Sequence, residues 1–210
     1  MGITNNPRVG VLALQGDFAS HATVLRELGA AVVRVRHPQD LIDLDGVVLP
    51  GGESTTVHRL LNLNGLWGPL DRSIAAGLPT LGTCAGLILL ARRVRESEGL
   101  QKSLGVLDVE VERNAYGPQV ASFEAPVKLD DETIDFPGVF IRAPRITAIG
   151  SVRVIATMSG EVVGVRLGAV IGLSFHPELA GDARIHASFL AQAASYSRAR
   201  MSGTFGAVST

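Results

Sequence analysis

The chain has 210 residues, a formal net charge of −1 from 19 basic and 20 acidic side chains, and a single cysteine. The near-neutral balance excludes the basic footprint of a nucleic-acid binder and a polybasic membrane patch, and one cysteine excludes an internal disulfide and a cysteine-pair zinc site. A free thiol suits a reducing compartment, Met1–Pro7 carries no signal-peptide pattern, and the longest apolar run, near Leu87–Ala91, is far short of the roughly 20 residues that span a bilayer.

The expectation is therefore one soluble, cytoplasmic domain over residues 1–197, with a small polar tail, 198–210, that reads as disordered. Arg8–Leu14 reads as a buried strand that runs into a Gln15-Gly16-Asp17 turn. Ser20–Leu28 reads as a helix, with Val24, Leu25 and Leu28 on one face and Gly29 just past its end. Ala31–Val35 and Gly46–Leu49 are strand-like, and the second ends in Pro50-Gly51-Gly52. Helices are predicted over Thr55–Leu63 and Leu66–Ala76, a short strand over Pro79–Gly82, and a helix over Ala85–Arg92. This alternation of apolar strands and helices predicts a parallel sheet covered on both faces.

The second half changes character. Val106–Glu112, Ala121–Lys128, Val139–Ile141, Val152–Thr157, Val162–Leu167 and Ala169–Phe175 read as strands, with Gly160 and Gly168 marking hairpin turns. That portion is predicted to be antiparallel or mixed, and Ala183–Ser197 reads as a closing helix.

Two short stretches carry the chemistry. Gly82-Thr83-Cys84-Ala85-Gly86 is a strand-to-helix turn of the nucleophile-elbow type, built on the chain's one cysteine. Its glycines permit the tight turn, the helix N-terminus favours a thiolate, and the Ala85 amide is placed to meet an oxyanion. His176-Pro177-Glu178 follows a strand and pairs a base with a carboxylate that can fix its tautomer. Together they supply nucleophile, base and orienter for covalent acyl transfer.

Each motif has a plainer reading. A lone cysteine is more often a small buried hydrophobe, and a turn histidine is more often solvated beside a free glutamate. Pro50-Gly51-Gly52-Glu53-Ser54-Thr55-Thr56 is a strand-to-helix loop in which Ser54 or Thr55 caps the helix, and its glycines can also aim backbone N–H groups at a substrate oxygen. Arg113 and Arg142 each stand at a strand end, where an arginine either pairs with a substrate carboxylate or is ordinary surface. The remaining histidines, His21, His37, His58 and His186, show no metal-ligand spacing, and no metal or other cofactor is expected.

The combination of Pro50-Gly51-Gly52-Glu53-Ser54, Gly82-Thr83-Cys84-Ala85-Gly86 and His176-Pro177-Glu178 resembles the class I, triad-type glutamine amidotransferases. More narrowly, five stretches resemble the glutaminase subunits of pyridoxal 5'-phosphate synthase. They are Val11-Leu12-Ala13-Leu14-Gln15-Gly16, Gly51-Gly52-Glu53-Ser54-Thr55-Thr56, Arg113-Asn114-Ala115-Tyr116-Gly117, Ser122-Phe123-Glu124 and Phe140-Ile141-Arg142-Ala143-Pro144. The resemblance covers roughly residues 8 to 195.

It implies a flavodoxin-like α/β three-layer sandwich, with a mostly parallel central sheet and an antiparallel extension. It implies hydrolysis of L-glutamine to glutamate and ammonia, and a partner, the synthase subunit, that uses the ammonia. By position, Cys84, His176 and Glu178 form the triad, and Gly52 and Ala85 the oxyanion hole. Gly52, Glu53, Ser54, Arg113, Ile141 and Arg142 line the glutamine site. Ser20, where the family often carries an acidic residue, and Pro118, where a basic or polar residue is usual, depart from the pattern away from the triad. Two other readings remain: the glutaminase of another pathway, which the Phe140–Pro144 stretch disfavours, and a non-hydrolytic cysteine protein of similar fold, which would not need His176-Pro177-Glu178.

Overall fold

The computed structural model describes residues 6–95, 102–113, 122–130 and 132–202. Its first half is built from parallel strands: β1 (Arg8–Leu12), β2 (Ala31–Val35), β3 (Gly46–Leu49) and β4 (Thr80–Thr83). Between them run α1 (Phe18–Glu27), α2 (Ser54–Leu63) and α3 (Trp67–Ala75), and α4 (Ala85–Leu90) follows β4. The second half contributes strands β5 (Ala91–Arg95) through β12 (Val170–Leu173) and a closing helix α5 (Arg184–Met201).

Nine strands form one sheet in the order β2-β1-β3-β4-β12-β11-β10-β7-β8. β2, β1, β3, β4 and β12 are mutually parallel. From β12 onward, β11 (Glu161–Leu167), β10 (Arg153–Met158), β7 (Ser122–Leu129) and β8 (Phe136–Ile141) pair antiparallel. Gly160 and Gly168 lie in the turns that join β10 to β11 and β11 to β12, as predicted.

Strand alternation splits the core in two. Val47 and Leu49 pack with Leu61 of α2, Leu70 of α3 and Leu87 of α4 on one face of the sheet. Val48 and Leu81 pack with Leu25 of α1 and Phe189 of α5 on the other. This is the three-layer α/β sandwich, with apolar surface removed from water on both faces of the parallel strands.

Three elements differ from the sequence reading. The helix predicted over Ala85–Arg92 stops at Leu90, and Ala91 turns extended to begin β5. There Arg92 pairs with Asp108, and Arg93 and Arg95 pair with Glu110, across a small sheet ordered β5-β6-β9. Its strands β6 (Leu107–Glu112) and β9 (Arg145–Ile149) pair antiparallel, and β9 has no counterpart in the sequence reading. α5 continues to Met201, four residues into the stretch read as a tail, where Arg200 reaches Asp43 and Asp45. Residues 203–210 lie outside those described. Among the described residues no helix is long and apolar enough to cross a membrane.

Candidate active site

Because β1, β3, β4 and β12 are parallel, their carboxyl ends share one edge of the sheet. The loops that leave those ends are Gln15-Gly16-Asp17, Gly51-Gly52-Glu53, the turn at Cys84, and His176-Pro177-Glu178. Open α/β sheets place ligands at this edge. Here the loops enclose a cleft of about 180 Å³ lined by Gly16, Asp17, Gly51, Gly52, Glu53, Ser54, Cys84, Ile88, Arg113, Ile141, Arg142 and His176.

Cys84 sits between β4 and α4 with φ 49° and ψ −103°, a conformation that costs a non-glycine residue roughly 1–3 kcal/mol. Its amide donates to the Leu173 carbonyl at 2.8 Å, which ties the elbow to β12. The close approach requires glycine on both sides. A Cβ at Gly86 would lie 2.0 Å from the Leu49 carbonyl oxygen, and one at Gly82 would lie 2.8 Å from the Gly86 backbone. The thiol is directed at the Ile141 carbonyl, with Sγ 3.8 Å from that oxygen. Ala85, the first residue of α4, is fully buried behind it.

His176 is fixed from the opposite side. Its amide donates to Val139 of β8 at 2.8 Å, and the preceding Phe175 packs against Phe136 and Phe140. Its Nδ1 lies 2.8 Å from Glu178 Oε1. The Glu178 side chain has no solvent exposure. Burial favours its neutral form, but interactions with His176 and His21 outweigh that and hold the carboxyl far below the usual carboxylate range. Burial also disfavours the imidazolium of His176, yet Cys84 and Glu178 beside it raise its pKa well above the ordinary histidine value. Nε2 of His176 is buried and has no well-formed hydrogen bond among the described residues in the resting geometry; such bonds commonly tighten only when substrate binds.

Glu53 caps α2; the predicted cap, Ser54 or Thr55, is instead the first or second helical residue. Its carboxylate accepts from the Thr55 amide at 3.2 Å and the Thr56 amide at 2.7 Å, with both threonine hydroxyls closing on it. A carboxylate reaches past the two N–H groups that a shorter cap would satisfy, which leaves it an oxygen for Arg113 Nη2 at 2.9 Å. Partial burial works against this charge, and the hydrogen bonds from Thr55 and Thr56 win, lowering the Glu53 pKa to about 2. Its stabilising contribution is thus complete above about pH 4.5 and is lost as pH falls toward 2. Glu53→Gln is expected to cost about 1 kcal/mol at pH 7, the worth of a helix cap, and the deficit should shrink in melts taken between pH 4.5 and 2.

Of the residues singled out from sequence, Cys84, His176, Gly52, Glu53, Ser54, Arg113, Ile141 and Arg142 border the one cleft, and Glu178 stands directly behind His176. Asn114, Ala115, Tyr116, Gly117 and Pro118 lie outside the described residues. Ser20 donates its amide and hydroxyl to Asp17, the cap of α1. Sequence reasoning passed over Gln15, whose Oε1 accepts the Glu53 amide at 2.8 Å and so holds the Gly51-Gly52 loop. It also set aside, as lacking metal-ligand spacing, two histidines that are buried behind Glu178, His21 and His186. A second cleft of about 120 Å³, near Leu129, Arg166 and Arg184, is lined by neither a thiol nor a histidine. No group of three or more His, Cys, Asp or Glu side chains among the described residues is arranged to hold a metal ion.

At 52% identity over 191 residues, the chain is similar to pyridoxal 5'-phosphate synthase subunit PdxT of Pyrococcus furiosus, with 87% of this chain and 97% of that one covered. It is 47% identical over 202 residues to the protein of the same name from Acidothermus cellulolyticus, covering 93% and 98%. A solved glutamine amidotransferase superposes with a TM-score of 0.83 at 43% identity, covering 88% of this chain and 98% of that one. Another glutamine amidotransferase, from Thermotoga maritima, shares the fold alone, at 16% identity and a TM-score of 0.57, with 94% and 98% covered. The SNO glutamine amidotransferase family matches residues 11–195, and the chain belongs to that family.

Proposed function

We propose that the chain is the glutaminase subunit of a pyridoxal 5'-phosphate synthase. It hydrolyses L-glutamine with Cys84, His176 and Glu178 and passes the ammonia to a synthase subunit. The observation that carries the reading is the meeting of Cys84 and the His176–Glu178 pair in one cleft of a family glutamine amidotransferase. The names of the relatives support the pathway.

In this mechanism the Cys84 thiolate attacks the side-chain carbonyl carbon of glutamine. The Ala85 and Gly52 N–H groups receive the oxyanion. His176 protonates the nitrogen as the C–N bond breaks, ammonia leaves, and a thioester to Cys84 remains. Water then adds to the thioester while His176 takes its proton, and glutamate is released with the thiolate restored. Arg113, oriented by Glu53, and the Ile141-Arg142 segment hold the charged end of glutamine. Neither metal nor organic cofactor enters, and a single free thiol of this kind suits the cytoplasm.

Glu178→Gln is expected to lower kcat roughly 10²- to 10⁴-fold, because the replacement cannot stabilise the imidazolium or enforce its tautomer. The sign of the pH effect follows from His176. Its pKa is raised partly by the Glu178 charge, so removing that charge lets the imidazolium deprotonate sooner. The alkaline limb of the kcat profile should move to lower pH; an unmoved limb would show that Glu178 does not act on His176.

Glutamate release with and without the synthase subunit tests the whole reading. Turnover stimulated by that partner is expected, since ammonia formed without it is lost to solvent, and docking is taken to complete the oxyanion hole. Turnover indifferent to the partner would keep the glutaminase and assign it to another pathway, while no turnover in either state would refute the reading.

A further inference from the structure

Behind the triad lies a polar cluster that the proposed reaction does not use. His21 on α1 and His186 on α5 are completely buried where the two helices pack together. His21 Nδ1 lies 2.9 Å from His186 Nε2. His21 Nε2 faces two acceptors, Thr83 Oγ1 at 3.2 Å and Glu178 Oε2 at 3.1 Å. His21 Nε2 meets hydrogen-bond geometry with Thr83, while Oε2 of Glu178, in ion-pair range of the same nitrogen, has no hydrogen-bond partner among the described residues. A buried carboxylate oxygen without a donor costs several kcal/mol, and the His21 Nε2–H 3.1 Å away is placed to turn toward it.

The ring protons can be assigned from the partners. Glu178 is ionised and can only accept, so His21 Nε2 carries a proton. Burial and the neighbouring His21 push the His186 pKa down to about 3, which leaves it neutral with one ring proton. Placing that proton on Nε2 lets it donate to His21 Nδ1. His186 Nδ1 is then a bare lone pair, in keeping with its lack of any partner. The His21 ring is thereby held with Nε2–H facing Thr83 and Glu178.

We propose that His21 is a positioning residue for the Cys84–His176–Glu178 chemistry. It grips the second carboxylate oxygen of Glu178, and His186 holds its ring in place. The inference rests on the glutaminase reading for its enzymatic consequence and on geometry alone for its effect on Cys84.

The experiment uses His21→Ala, His21→Gln, Glu178→Ala and the double variant His21→Ala/Glu178→Ala. Glutamate release is measured in the complex with the synthase subunit, and the rate of Cys84 alkylation by iodoacetamide is measured on the isolated chain. His21→Ala is expected to lower kcat 10- to 100-fold with KM for glutamine within twofold, and to slow alkylation at neutral pH. His21→Gln, whose amide nitrogen reaches the place of Nε2, should recover most of both. The double variant should be no slower than Glu178→Ala, because His21 acts only through Glu178. Additive losses in the double variant would overturn the proposal, as would a His21→Ala loss that merely follows the unfolded fraction seen by circular dichroism. If the wild type is readily alkylated but releases no glutamate, the glutaminase reading falls, and the alkylation series still decides the role of His21.

Discussion

Cys84→Ala is expected to remove glutamate release to background, a loss of about 10⁴-fold or more, in the presence of the synthase subunit. The side chain is the only thiol in the chain, and members of a nucleophile–base–orienter set act as a unit, so the remaining His176 and Glu178 have nothing to activate. The same change should barely alter stability. It keeps the β carbon, removes one weak contact from Sγ to the Ile141 carbonyl at 3.8 Å, and leaves the backbone at φ 49°. Cys84→Gly sharpens the argument. Glycine adopts that φ without penalty, so Cys84→Gly should melt at or above the wild-type temperature while being equally inactive. A melting temperature that rises as activity disappears would show that the elbow holds strain for the sake of the thiol. Residual glutaminase activity above about 1% in Cys84→Ala would mean that Cys84 is not the nucleophile.

Much of the parallel half was legible because each local signal agreed with the tertiary arrangement. Ala31–Val35 and Gly46–Leu49 are strands at the predicted boundaries, and α2 and α3 begin and end within one residue of theirs. The small sheet was not. Ala91-Arg92-Arg93-Val94-Arg95 has a single β-branched residue and follows a helix with no turn signal, so nothing local distinguishes it from a helix end. Its strand state comes from pairing with β6 and from the Asp108 and Glu110 carboxylates, which stand 15 to 17 positions further along the chain from the arginines they meet.

The site divides in the same way. Cys84 with its glycines and His176 with Glu178 are contiguous motifs. His21 and His186 are separated by 165 residues and meet only when α1 packs beside α5. A histidine with no spacing to another ligand carries no local mark, which is why the cluster behind Glu178 emerged only from the fold. The Glu53 cap shows a milder failure: preference rules favour the serine and threonines that follow it, and only the Arg113 contact explains why the longer acid occupies the cap.

Gly51→Ala is expected to lower kcat by at least 10²-fold in a protein that folds normally. Gly51 is not among the residues with positive φ, so alanine meets no backbone penalty there. The added Cβ would instead lie 2.3 Å from His176 Cε1, 3.0 Å from His176 Nδ1 and 3.3 Å from the Cys84 β carbon. The imidazole has little freedom to yield. Nδ1 is bound to Glu178 at 2.8 Å, and the His176 backbone is anchored to Val139. The collision must therefore move the ring off the thiol or lift the Gly51-Gly52 loop, and either displacement spoils an attack geometry in which 1 Å costs about a hundredfold. Gly29→Ala supplies the opposite case. Its φ is 91° and a Cβ there meets nothing within 4 Å, so it should lose about 1 kcal/mol of stability and no activity. Melting curves and steady-state rates on the two variants separate the effects. If Gly51→Ala turns over at the wild-type rate, the cleft does not hold His176 against Cys84 as tightly as its packing requires, and the proposed geometry of attack is wrong.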